Sequence, residues 1–169
     1  MENPSFEFLE LSHRQVLLDL VLTWASIDVS IGYLASAFLP NTEPAVVARI
    51  LGKRRASAKL REIQKLVQHV STDASVESLE RFLKKSKKNL ERHGEARDHL
   101  AHSLLIGWSE NNPDFLAFLK FEAVENNLAS YEVPFAKFEA ALNWGLNFDH
   151  ALRQIIRASK AREQDTESN

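Results

Sequence analysis

Between Glu91 and Ser103 the chain places three of its six histidines, two arginines and three carboxylates within thirteen residues. Histidine exchanges protons near neutral pH, and arginine grips phosphate through two parallel hydrogen bonds. Asp98 and His102 are four residues apart and therefore neighbours on a helix, whereas Arg97 and His102, five apart, leave it roughly 140° from one another. Asp98 is expected to orient the His102 imidazole and select its tautomer, with Arg97 reaching the same groove from the side. A proton-exchanging histidine beside a phosphate-binding arginine is a minimal set for cleaving a phosphodiester without a metal.

The neighbouring groups read differently. His99 and His102 with Glu95 or Asp98 have metal-ligand spacing on one helix, but no second ligand cluster occurs elsewhere, so neither a metal nor another cofactor is expected. His93 falls on the apolar stripe of its helix and reads as a half-buried structural histidine. The bland alternative for the whole stretch is a charged helix end, in which His102 favours the dipole and Asp98 pairs locally. Gly-rich phosphate loops, a Ser-His-Asp arrangement and paired glycosidase carboxylates are not seen.

A chain of 169 residues with 44% hydrophobic and 26% charged content has globular composition and length for one domain with a substantial core. It contains no cysteine, which excludes disulfides and thiolate chemistry and suits a reducing cytoplasm. The N-terminus lacks the basic and apolar regions of a secretory signal. The run without charge between Asp28 and Glu43 is fourteen residues, shorter than a bilayer span, so no membrane association is expected. A net charge of −2 makes no global case for nucleic acid.

The elements that must position Glu91–Ser103 follow from periodicity. Ser12 and Gln15 form a capping box, bracketed by Leu11 and Val16, ahead of a first helix whose stripe is Val16, Leu17, Leu20, Trp24, Ile27, Ile31, Leu34, Ala35 and Phe38. Pro40 ends it. Thr42 and Pro44 start a short helix that Gly52 interrupts, and the helical pattern resumes from Lys53 to Val70. A third long helix runs from about Val76 to Leu104, with Gly94 a point of weakness. Leu104 to Trp108 and Phe115 to Phe121 read as a β-hairpin, with a short third strand near Ala129 to Glu132. Pro134 opens the last helix. The expected class is all-α: a four- to five-helix up-and-down bundle with a small β-hairpin inserted before the last helix, one domain over 1–160 and a disordered polar tail over 161–169.

Two helical faces are basic. Lys53, Arg54 and Arg55 lead one that continues through Lys59, Arg61 and Lys65; Lys84, Lys85 and Lys88 belong to the other, with Arg81 and Lys87. Both flank the histidine-rich stretch and are expected to attract an RNA backbone.

The run Arg97-Asp98-His99-Leu100-Ala101-His102 resembles the motif of HEPN domains, an arginine followed by a polar residue and, four to six positions on, a histidine. Asp98 stands where asparagine is common and Ser103 where glycine is common. The resemblance implies a helical bundle of toxin and defence systems that acts as a metal-independent endoribonuclease. It implies a homodimer whose two motifs face each other, and an antitoxin protein as partner. His102 would be the acid/base, Arg97 the phosphate binder and Asp98 the positioning residue. The alternative expectation is a non-catalytic helical bundle that binds a partner protein or nucleic acid.

Overall fold

The computed structural model describes residues 9–38, 43–52, 55–70, 74–110, 112–122 and 127–167. Among them are five helices, α1 Leu11–Phe38, α2 Pro44–Leu51, α3 Ala56–Val70, α4 Ala74–His102 and α5 Phe135–Glu167, and three strands, β1 Leu104–Trp108, β2 Phe115–Glu122 and β3 Asn127–Pro134. The fold is therefore α+β, which corrects the all-α expectation. The insertion before the last helix is a three-stranded antiparallel sheet of order β1-β2-β3, more than a hairpin. All eight residues of β2 pair with β3, from Phe115↔Pro134 to Glu122↔Asn127. Leu116 and Phe118 are fully buried, so the sheet is part of the hydrophobic core.

The chain groups into two compact units, where the sequence reads as one domain. Unit 1 is Met1–Trp24 with His93–Gly145, and unit 2 is Ala25–Arg92 with Leu146–Asn169, so each long helix contributes to both. In unit 1 the buried set is Leu9, Leu17, Leu20, Trp24, Ala96, Leu116, Phe118, Val133, Phe135, Phe138 and Ala141. In unit 2 it includes Ile27, Ile31, Leu34, Leu60, Ile63, Leu79, Leu83, Leu90, Leu152 and Phe148, whose ring stacks on Phe82 at 5.7 Å. The three-and-four spacing of the apolar residues is what makes these segments helices with one buried face.

Helix ends differ in detail from the sequence reading. The α1 helix begins at Leu11, one residue before the expected capping Ser12, and Glu10 O accepts from Arg14 N. Gln15 bonds Asp19 one turn on, and Leu11 is 80% exposed, so neither the capping box nor its hydrophobic bracket forms. Pro44 opens α2 as expected, while Thr42 lies outside the described residues. Helix α5 continues to Glu167 through the segment read as a disordered tail. By length and composition α1 can cross a bilayer, with an 18-residue window of mean hydropathy 1.5. The charge-free run misses this because two aspartates are compatible with such a window.

Gly94 lies inside the unbroken α4, and a Cβ there would meet the Trp24 ring at 3.7 Å, an ordinary van der Waals contact. Gly94→Ala is therefore expected to stabilise the protein by about 0.5–1 kcal/mol, since alanine has the higher helix propensity and fills space already open. A rise in the urea midpoint at unchanged slope is the check.

The sheet is pinned at its turn. Ser109 N bonds Phe115 O at 2.7 Å, Asn112 N bonds Ser109 Oγ at 3.0 Å, and Asn112 Nδ2 bonds Glu132 Oε2 at 2.8 Å. Ser109 Oγ also donates to Glu132. These donors, Ser109 first, hold the Glu132 carboxyl below its ordinary pKa. The β1–β2 register slips between Leu105 and Gly107, where Gly107 takes φ 153°, a conformation side-chain-bearing residues rarely adopt.

Candidate functional site

All three residues singled out for phosphodiester chemistry sit on the last two turns of α4, within unit 1. Arg97 and His102 are exposed and Asp98 is half-buried. Arg97 Nη1 lies 3.2 Å from Asp98 Oδ1 in a solvent-facing ion pair. His102 makes no hydrogen bond among the described residues, so the expected Asp98–His102 bond gives way to the Arg97–Asp98 pair. The two side chains are neighbours in sequence and need no helical spacing to meet.

The arrangement that the fold does assemble lies on the adjacent face. His99 Nδ1 is 3.0 Å from Tyr131 Oη, and Ser103 Oγ is 2.6 Å from the same oxygen. The His99 ring leans on Tyr131 at 5.3 Å and Phe118 at 6.0 Å, and Phe118 stacks on Tyr131 at 5.7 Å. One turn back, Glu95 pairs with Lys137 of α5 at 3.0 Å. Burial lowers the His99 pKa, Lys137 and Lys120 act in the same direction, and Glu95 and Asp98 oppose them. Tyr131 thus ties the end of α4 to β3.

The sign of the pH effect follows. Below about pH 6.5 the unfolded chain takes up a proton at His99 that the folded chain resists, so the stability this group contributes is present above that pH and is lost on acidification. The urea midpoint is expected to fall between pH 7.5 and 5.5, and His99→Asn to make the fall shallower. An unchanged slope in the variant would place the pH sensitivity elsewhere.

Two further histidines, His93 and His13, and the three tryptophans pack against aromatic rings. His93 stacks on Trp144 at 5.2 Å, and Trp144 on Trp24 at 6.1 Å. His13 meets the rings of Trp108 and Phe135 edge-on at 5.0 and 4.8 Å. His13 Nδ1 and Trp24 Nε1 are buried without a hydrogen-bond partner.

Of the predicted RNA-binding cations, Arg55, Lys84, Lys85 and Lys88 are exposed in unit 2, and Arg55 O opens α3 by accepting from Ala58 N and Lys59 N. Lys53 and Arg54 lie outside the described residues. Lys59, read as part of the same face, is instead buried at 4% exposure, with Nζ 2.7 Å from both oxygens of Asp28. A second polar cluster in unit 2 centres on Asp149. Burial would raise its pKa, but hydrogen bonds from Ser30 at 2.6 Å, Ser26 at 2.7 Å and Arg153 at 2.9 Å outweigh that and hold the carboxyl below its ordinary value.

The two units carry opposite charge. Unit 1 holds four Lys and Arg against twelve Asp and Glu, formally −8, and unit 2 holds seventeen against eleven, formally +6. The net charge of −2 conceals this separation. The Arg97/His102 pair therefore lies in the acidic unit and the candidate RNA-binding lysines in the basic one. Among the described residues no group of three or more His, Cys, Asp and Glu could hold a metal ion.

No protein-family model, curated protein or solved structure matches this chain.

Proposed function

We propose that this is a HEPN-like cytoplasmic protein of a toxin–antitoxin or defence system, a homodimer that cleaves RNA without a metal. The observation that carries this reading is the contrast along one helix end: His99 is tied to Tyr131 and packed, while Arg97 and His102 are left facing solvent at the motif positions. In this reading neutral His102 removes the proton of a ribose 2′-OH as that oxygen bonds to the adjacent phosphorus. The P–O5′ bond breaks, and the proton passes from imidazolium to the departing 5′ oxygen, leaving a 2′,3′-cyclic phosphate and a 5′-hydroxyl. Arg97 holds a backbone phosphate, and Asp98 limits that role by pairing with it. Because Arg97 and His102 diverge on α4, a second copy is needed to complete the charge around the phosphate.

The test is incubation of the purified protein with RNA in EDTA, comparing wild type with His102→Ala and Arg97→Ala. Cleavage by the wild type that both variants lose supports the reading; no cleavage, or equal cleavage by all three, overturns it. The Arg97–Asp98 pair and the −8 charge of its unit favour the second reading, a non-catalytic bundle that binds a partner protein such as an antitoxin, or nucleic acid through unit 2. Retained RNA binding by a protein that never cleaves is its expected signature.

A further inference from the structure

A cleft of about 350 Å³ opens in unit 2 between α1 and the start of α3, lined by Asp28, Val29, Gly32, Tyr33, Ser36 and Lys59. All six residues belong to that one unit. Those of α1 share a helix face, since Asp28, Gly32 and Ser36 are four apart and so are Val29 and Tyr33. Lys59 sets the chemistry. Its side chain is 6% exposed, and its Nζ lies 2.7 Å from both Oδ1 and Oδ2 of Asp28, whose side chain is 49% exposed. An ammonium carries three donors, and two of these are spent on Asp28. The third meets no acceptor among the described residues. A buried donor without an acceptor costs free energy, which an acceptor entering the cleft would recover. Each Asp28 oxygen keeps a lone pair and offers the complementary half.

We infer that the cleft binds the edge of an unpaired nucleobase, with the ring lying against Tyr33. Charge narrows the ligand first. Lys59 and Asp28 cancel, so an anion would meet the carboxylate and a cation the ammonium, whereas a neutral group with one donor and one acceptor meets neither penalty. Spacing narrows it further. Donor and acceptor must sit about as far apart as Nζ and Oδ1, 2.7 Å; the N–H and C=O of a cis amide, or the two nitrogens of an amidine, are about 2.3 Å apart. Every nucleobase carries one of these pairs on its Watson–Crick edge. Val29 and the Tyr33 ring, 58% exposed, supply the apolar face on which a planar heterocycle stacks. The formal charge of +6 on unit 2 suits the attached phosphate. The site goes beyond the proposed function and stands without it, since it needs neither cleavage nor a second copy. A free nucleotide and an unpaired base in an RNA strand present the same edge.

The test is titration of the full-length protein with UMP, with AMP, with a short single-stranded 2′-O-methyl RNA and with that strand annealed to its complement. The methylated sugar lacks the hydroxyl through which the strand is cut, and the duplex has its base edges paired and its ring faces stacked. The single strand is expected to bind at least about tenfold more tightly than the duplex. Saturable binding of UMP and AMP names a free nucleotide as the ligand, and binding of the strand alone names RNA. In either case Tyr33→Ala is expected to weaken binding about tenfold and Tyr33→Trp to restore it. Ser36→Trp, at another exposed position, fills the cleft and is expected to abolish binding, with the fold of each variant checked by circular dichroism. Lys84→Ala, outside the cleft, is expected to keep the preference for the single strand. Equal affinity for strand and duplex, no binding of any of the four, or unchanged binding by Tyr33→Ala or Ser36→Trp overturns the inference. A protein that binds the base but never cuts RNA leaves the site standing and overturns only the catalytic reading.

Discussion

His102→Ala is expected to lower RNA cleavage by about 10²–10⁴-fold, the usual contribution of one positioned acid/base, while leaving the fold intact. The second half of the expectation follows from burial: His102 is exposed and makes no hydrogen bond among the described residues, so its removal opens no cavity and strands no partner. The loss should appear in kcat more than in KM, because the histidine acts on the proton in flight rather than on ground-state binding. Arg97→Ala should raise KM as well, since a phosphate contact is made before and during the reaction. Asp98→Asn removes the carboxylate that engages the guanidinium at 3.2 Å and is expected to increase activity. Chromatography of RNA fragments with cyclic-phosphate detection measures all three. A His102→Ala protein as active as wild type would leave the motif a charged helix end.

Phe118→Ala is expected to destabilise unit 1 by about 3–5 kcal/mol, the usual cost of deleting a fully buried aromatic ring. Phe118 is 0% exposed and stacks on Tyr131 and on Phe138, with His99 at its edge. The cavity would therefore open directly under the Tyr131 hydroxyl that joins His99 and Ser103. Stability should fall far more than for Leu104→Ala, where a residue on the same sheet is already 58% exposed. Urea unfolding of the two variants tests the contrast, and equal losses would mean that the sheet is not integral to the core.

The helices were legible because their apolar residues recur every three or four positions, and the predicted ranges depart from the observed ones mainly at the ends. Ser12 shows why ends are harder: a capping sequence competes with a helix start one residue earlier, and the backbone of Glu10 supplies the acceptor. The third strand was visible only as a short segment near Ala129 to Glu132. Its full length depends on Glu132 receiving Ser109 and Asn112 from the turn and on eight-residue pairing with β2, neither of which local pattern encodes. That pairing is what makes the fold α+β. Arg97, Asp98 and His102 could be found by spacing, being contiguous on one helix end. His99, Ser103 and Tyr131 could not, because Tyr131 lies 28 and 32 residues away in sequence from its two partners.

The exposed face of α1 divides the same way. Sequence alone determined that α1 is a long apolar helix, that α4 ends in a run of arginine, aspartate and histidine, and that basic residues flank it. Those are properties of periodicity and composition, set by side chains a few residues apart. Tertiary structure decided which apolar side chains are covered, leaving Leu18, Leu22 and Val29 outside while Leu20, Ile27 and Ile31 are buried. It also decided that His93 and His99 are packed while His102 is exposed, and how a nearly neutral chain separates into an acidic and a basic unit. Burial and charge segregation depend on which distant segments share a core, and no local spacing carries that information.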